Sequence, residues 1–225
     1  RLAPFGGSVG SVVPTGFEAY ARVLHPVQLR TTRGKLSWAE VARLTGRELH
    51  ARAQFWCIAD RAALDAVDSG WHEGAPRAGE LDSATQTELI TTLAAHDVRG
   101  AERECIAAVW HGWGFMRRSS EIEHAPRLHL PKRDYVLFRG ALAEVPALGL
   151  GEPSQFVHFT PALLWAADAS WCVATEIDFD STLVGGPRPL VEAVLTNAKL
   201  EAFEIEPVDS LAWDGDHVNG SGAVR

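Results

Sequence analysis

Lysine is nearly missing from this chain, with three residues against eighteen arginines in 225. Methionine occurs once and alanine is abundant, a codon bias of the kind a GC-rich genome imposes. Cysteine is scarce too. Cys57, Cys105 and Cys172 are odd in number, form no Cys-x-x-Cys pair and each sits among apolar residues. That argues against a disulfide framework and for free, buried thiols in a reducing, cytoplasmic setting. No apolar run approaches the ~20 residues that cross a bilayer, and Arg1-Leu-Ala-Pro opens no signal-peptide core. Basic charge is in deficit, with 21 Lys and Arg against 29 Asp and Glu, a net charge of −8. No basic stripe offers a footprint for nucleic acid or for an anionic membrane surface. Familiar phosphate-binding signatures are missing as well: no phosphate loop and no dinucleotide fingerprint. The nine histidines are scattered. The closest pair, His124 and His129, has no zinc-type spacing and reads as structural or surface.

What is present is an ordinary globular balance, 46% hydrophobic and 22% charged. At this length a single domain buries roughly 70% of its unfolded surface, enough for a core without staples. There is no internal repeat. Polar breaks at 30–35, 70–80, 117–127 and 149–154 are too short for linkers. The expected organisation is one domain over 1–213 and a polar tail over 214–225.

The pattern of residues supplies the elements. Phe17–Leu24 alternates as a half-buried strand. Ser37-Trp-Ala-Glu40 is a capping box that opens a helix closing near Gly46. Ser83 with Gln86 suggests a second box and a helix to about Ala95. Cys105–Trp113 reads as a central strand. Leu128–Leu130 and Tyr135–Arg139 flank Pro131-Lys-Arg-Asp134 as a hairpin. Trp171–Phe179 reads as the clearest strand. Pro187 or Pro189 suits the first turn of a helix to about Asn197, and Leu200–Ile205 is a last strand. Strands and helices are not regularly interleaved, so the expected class is α+β, with a single mixed or mostly antiparallel sheet flanked by three to four helices.

One stretch concentrates the chemistry: Trp165-Ala-Ala-Asp168-Ala-Ser-Trp171-Cys-Val-Ala-Thr-Glu176-Ile-Asp178-Phe-Asp180-Ser181-Thr182-Leu-Val-Gly185-Gly186-Pro187. With a period of two, Trp171, Val173, Thr175, Ile177 and Phe179 face the core, and Glu176, Asp178 and Asp180 emerge together on the other side. Same-face neighbours lie about 6.5–7 Å apart, close enough to converge on a hard cation such as Mg, Mn or Ca. Asp168, Ser181 and Thr182 could add oxygens. Gly185-Gly186 before Pro187 would present free backbone N–H groups at a helix start, an anion site. The other reading is plainer: a strand leaving the core with solvated acids at its end. Trp110-His-Gly-Trp113 offers an aromatic platform for a ligand, or a core strand with close backbone approach. Asp214-Gly-Asp216-His-Val-Asn219 looks like a calcium loop but lacks the oxygen donor at position five and the closing Glu, so it reads as tail.

On the phrase from Trp165 to Gly186, together with Gly10–Pro26, the chain resembles a bacterial family, chiefly actinobacterial, whose members share Trp-x-x-Asp-x-x-Trp-Cys-Val-Ala-Thr-Glu-Ile-Asp and Ser-Thr-x-Val-Gly-Gly. The resemblance implies no activity. Leu130-Pro-Lys-Arg-Asp-Tyr135-Val-Leu-Phe138 is similar to the Leu-Pro-x-x-Tyr-x-x-Phe phrase of the SMI/KNR-like family, several of whose members are immunity proteins against toxins. The favoured expectation is a binding or interaction module with no cofactor and with another protein as partner. The alternative is a divalent-metal-dependent hydrolase using the carboxylate cluster.

Overall fold

The computed structural model describes residues 2–4, 6–29, 34–59, 75–114, 120–150 and 156–220. Parts of the four polar breaks lie outside these residues, as do residues 221–225.

Eight strands make one open, antiparallel sheet: β1 (Ala19–Leu24), β4 (Glu104–Trp110), β5 (Arg127–Leu130), β6 (Arg133–Ala141), β9 (Leu163–Ala166), β10 (Cys172–Ala174), β11 (Ser181–Gly186) and β12 (Ala202–Glu204). Their spatial order is β12-β1-β11-β10-β9-β4-β6-β5, and every neighbouring pair runs antiparallel. Two short ladders lie beside it, β2 (Val27–Gln28) with β3 (Lys35–Leu36), and β7 (Gly149–Leu150) with β8 (Val157–His158). Five α-helices are described: α1 (Trp38–Thr45), α2 (Phe55–Ile58), α3 (Ser83–His96), α4 (Ser120–Glu123) and α5 (Arg188–Thr196). The expected α+β class with a mostly antiparallel sheet is what forms.

Burial divides the sheet into two working faces. On the first, Ala21, Val23, Ala107, Leu164, Val173 and Val184 pack under α3 and α5 as the main core. On the second, α1 and α2 cover the β1 end through Trp38, Val41 and Phe55. Beside them Val9–Val13 and Ile205–Leu211 close over Tyr20, Cys172 and Leu183. All six residues of β1 are buried, which corrects the expectation of a half-buried strand. The residues read as its wet face, Tyr20 and Arg22, lie beneath this second layer. The three cysteines are free and buried, and burial pushes the Cys105 and Cys172 thiols up to about 12, so neither supplies a thiolate at neutral pH.

Local rules account for the element ends. Ser37 accepts from the Glu40 N–H at 3.2 Å, and Glu40 accepts from the Ser37 N–H at 2.7 Å. Gly46 ends α1 at φ 67°, the left-handed turn glycine makes without penalty. The cap of α3 is Asp82, not Ser83, taking the Ala84 and Thr85 N–H groups at 3.2 Å each. A carboxylate outcompetes the neighbouring hydroxyl here because it accepts several bonds at once and also pairs with Lys35. The β5–β6 hairpin turns through Pro131 and Lys132, with Lys132 at φ 70°, the combination of a Pro-led type II turn.

The C-terminal stretch departs from the tail reading. Asp216 is 3% exposed. It accepts from the Gln54 N–H at 3.2 Å and the Asn219 N–H at 2.9 Å, and meets His50 Nε2 at 3.0 Å. Burial raises its carboxyl, but these hydrogen bonds outweigh that and bring it down to about 2. The resemblance to a calcium loop therefore ends in a dock: Asp216 and Asn219 fasten residues 214–220 to the segment before α2.

Gly79 tests how the segment before α3 meets the sheet. Its φ is +69°, and a Cβ there would lie 2.5 Å from the Ile177 Cα, whereas Gly46 has open space around it at φ +67°. Gly46→Ala should cost about 1 kcal/mol from backbone strain alone. Gly79→Ala should cost clearly more, because backbone must also move. Urea unfolding of the two variants checks this; equal losses would show that Gly79 is not packed against Ile177.

Candidate functional site

The carboxylate stretch is a hairpin, not one strand. The period of two holds from Trp171 to Thr175, and β10 ends at Ala174. The chain then reverses: the Phe179 N–H donates to the Glu176 carbonyl at 2.9 Å, and β11 returns from Ser181. Trp171 and Val173 face the main core as expected. Ile177 and Phe179 are half-buried, Asp178 is exposed and Glu176 is 7% exposed. The three acids therefore do not emerge on one face.

Each acid is instead met by an arginine. Arg133, at the start of β6, reaches Glu176 at 2.9 Å and Asp178 at 2.6 Å. Arg22, in the middle of β1, is 1% exposed. It reaches Asp180 at 3.5 Å, donates Nε to Ser181 Oγ at 2.9 Å and donates to the Ala51 and Ala53 carbonyls at 3.0 and 2.7 Å. Arg103, just before β4 and 2% exposed, binds Asp168 and donates to Ser170 Oγ at 2.7 Å. It also approaches Asp97 at 3.4 Å. Asp168 and Glu176 thus stand at opposite ends of β10. The bonds from Arg103 and Ser170 hold the Asp168 carboxyl far below the usual range. Burial raises Glu176 and Asp180, against the pull of Arg133 and Arg22 respectively. Among the described residues, no group of three or more His, Cys, Asp or Glu side chains is gathered as metal ligands would be.

Nor do the glycines form a turn at a helix start. Gly185 and Gly186 lie inside β11, paired to Tyr20 and Ala19 of β1. They are small because the space is taken: a Cβ on Gly185 would lie 2.6 Å from the Phe17 ring, and one on Gly186 3.0 Å from Trp171 Cβ. The start of α5 already holds an acid, since the Arg188 N–H donates to Glu18 at 2.9 Å. The position expected for an external anion is filled by the chain itself.

Thr182 has a different partner. Its hydroxyl lies 2.9 Å from His25 Nε2 and 2.9 Å from Thr175 Oγ1, and His25 Nδ1 lies 2.7 Å from the Arg77 carbonyl. A carbonyl only accepts, so Nδ1 carries the proton and Nε2 accepts from Thr182. Burial, with Arg22 nearby, holds His25 down at about 4, overcoming the bond to Arg77 and the charge of Asp82. Thr182 is 0% and Thr175 1% exposed, so this buried chain of hydrogen bonds pins the segment at Arg77 to the sheet.

What the structure does assemble lies around Arg133. Its guanidinium sits 5.8 Å from the Trp110 ring centre. Trp110 packs edge-on to Trp113 at 5.5 Å. β4 stops at Trp110, short of the expected Trp113, because the chain turns there and the Trp110 ring lies over Gly112, whose Cβ position is only 2.1 Å from it. Beside Arg133 a cleft of about 370 Å³ opens between the β5–β6 hairpin and the N-terminal segment. Leu130, Pro131, Leu163, Val12 and Pro4 make it largely apolar, and Glu176, Tyr135 and Ser11 add polar atoms. Burial, and after it the Glu176 charge, pushes the Tyr135 hydroxyl up to about 12. The cleft offers an apolar floor, a neutral hydroxyl and a closed ion pair. Of the residues expected from sequence, Glu176 lines it, while Asp178 and Trp110 meet Arg133 at its side. Arg133 and Tyr135 were missed, and Leu130–Phe138 was the only signal that pointed to them. Comparison with family models, curated proteins and solved structures finds no match, so the chemistry of the cleft rests on its own geometry.

Two measurements follow. Folded His25 has a pKa near 4 against about 6.5 unfolded, so acid favours the unfolded chain, and stability should fall between pH 6.5 and 4 by on the order of 3 kcal/mol. In His25→Asn that part of the pH profile should flatten in urea titrations. For Glu176 the sign is opposite. Its folded pKa is raised, so its ionisation weakens the fold as pH rises above about 4. Arg133→Met removes the opposing cation, so its loss should be about 3–5 kcal/mol at pH 7 and smaller at pH 4. A pH-independent loss would separate Arg133 from Glu176.

Proposed function

We propose that this protein is a binding module that engages another protein through the cleft beside Arg133, and that its carboxylates serve the fold rather than a reaction. The observation that supports this most directly is the pairing of Glu176 and Asp178 with Arg133, of Asp180 with Arg22 and of Asp168 with Arg103. A carboxylate already held by a guanidinium gives up that bond before it can take a metal or a proton from water. The cleft is suited to an apolar side chain of a partner, flanked by hydrogen bonds to Tyr135 and Glu176. The net charge of −8 favours a basic partner. The immunity-type role suggested by the SMI/KNR resemblance is one form of this reading, in which the acidic chain covers a basic toxin.

The competing hydrolase reading makes a different prediction in solution. A divalent ion at 100 times its dissociation constant stabilises by about 2.7 kcal/mol, which for a chain of this size raises Tm by about 5–10 °C. We expect no such rise with Mg, Mn or Ca and no fall with EDTA. The binding reading is tested by a photo-crosslinking residue at Leu130, with Val98, 96% exposed at the far end of α3, as control. In the cells that make this protein, Leu130 should give a discrete adduct and Val98 none. A metal-dependent Tm, or no adduct at Leu130, would overturn the proposal.

A further inference from the structure

A second cleft, of about 430 Å³, opens on the other face of the sheet, between the start of α3, the segment pinned by His25, and the residues before β9. Three buried polar side chains belong to its wall: His25, Thr160 and Gln86. Two are fully occupied. His25 uses both ring nitrogens, on the Arg77 carbonyl and on Thr182. Thr160 Oγ1 accepts from the Leu81 N–H at 3.1 Å and donates to the Leu81 carbonyl at 3.2 Å. Gln86 is the exception. It stands on the inward stripe of α3 with Leu89, Ile90 and Leu93, at 8% exposure. Its backbone N–H is used by the helix, but its side-chain amide has no hydrogen-bond partner among the described residues. Its polar atoms are not sealed from solvent, so the amide opens to the cleft.

The charges around this cleft are closed in pairs. Arg77 meets Glu80 at 2.6 Å, and Lys35 meets Asp82. Asp82 also caps α3, so the helix start has its anion already. A charged ligand gains nothing from a balanced wall. Leu81, Pro146 and Phe159 supply apolar surface. An amide presents one donor and one acceptor side by side in a plane, and the group that satisfies both is another planar amide edge. We propose that this cleft is a site for a small, neutral, planar molecule carrying a carboxamide or lactam edge, read by Gln86 and held between apolar side chains. The volume lies in the ordinary range for small-molecule sites. The site is separate from the cleft beside Arg133 and stands or falls without it.

Benzamide is the probe, with benzoate and benzamidinium as anion and cation of the same shape and acetamide as the amide without the ring. In a ¹⁵N-correlated NMR titration of the full chain, benzamide should shift the Gln86 side-chain amide and the Leu81 and Thr160 backbone amides, with roughly millimolar affinity for so small a fragment. Benzoate, benzamidinium and acetamide should each bind at least about tenfold more weakly, roughly the discrimination expected when a buried hydrogen bond or the apolar contact is lost. Gln86→Leu should reduce benzamide binding by a similar factor while leaving Tm nearly unchanged, since no hydrogen bond within the chain is lost. The comparison of the four probes on the unaltered chain decides the matter if that variant does not fold. Absence of benzamide shifts at these residues, equal binding of benzoate, or undiminished binding to folded Gln86→Leu would overturn the proposal.

Discussion

A guanidinium keeps its charge at any pH at which a protein stays folded. Placing Arg22, Arg103 and Arg133 largely out of solvent therefore constrains everything near them. Each needs an acid at hand and carbonyls or hydroxyls for its remaining N–H groups, because an unmatched buried charge costs several kcal/mol. The dense acidic stretch after Trp165 is the answer to that need. It looks like a reactive cluster in one dimension because its partners come from β1, β6 and the segment before β4, between 43 and 158 residues away along the chain. Arg22 does more than pair. By donating to the Ala51 and Ala53 carbonyls and lying 5.4 Å from the Trp38 ring, it joins the α1–α2 layer to the sheet.

The same economy recurs at helix starts. α1 holds Glu201 on its Trp38 and Ala39 N–H groups at 2.7 Å each, α3 holds Asp82, and α5 holds Glu18. Helix N-termini favour negative charge. Here that preference is met by acids of the chain itself, two of them from distant segments, so the helix ends act as clasps between layers.

How much of this was legible in the sequence depended on range. The Ser37–Glu40 box, the Gly46 stop, the β5–β6 hairpin and the helix start at Pro187 and Pro189 are decided within a few residues, and all formed where expected; Pro187 is the cap and Pro189 lies in the first turn. The strand from Trp171 was right while the sheet determined it and failed at Glu176. Ile177 and Phe179 continue the apolar alternation, and the turn contains no glycine, proline or asparagine to announce itself. The reversal is imposed from outside, by Arg133 drawing in Glu176 and Asp178 and by the Gly79 N–H donating to the Phe179 carbonyl at 2.9 Å. Arg22 was misread for a similar reason: alternation marks two faces, but it cannot say that the polar one will be roofed by α1 and α2. The free amide of Gln86 was likewise hidden, having been read as half of a capping box that Asp82 displaced.

An open sheet has two rims, and both are brief. β12 contributes three residues, one of them Glu204 joined to Arg188 at 3.1 Å, and β5 contributes four before Pro131 ends its hydrogen-bonding capacity. A stray strand from another molecule would find little backbone to grip on either side. The fold should accordingly tolerate crowding and high concentration without stacking rim to rim into fibrils.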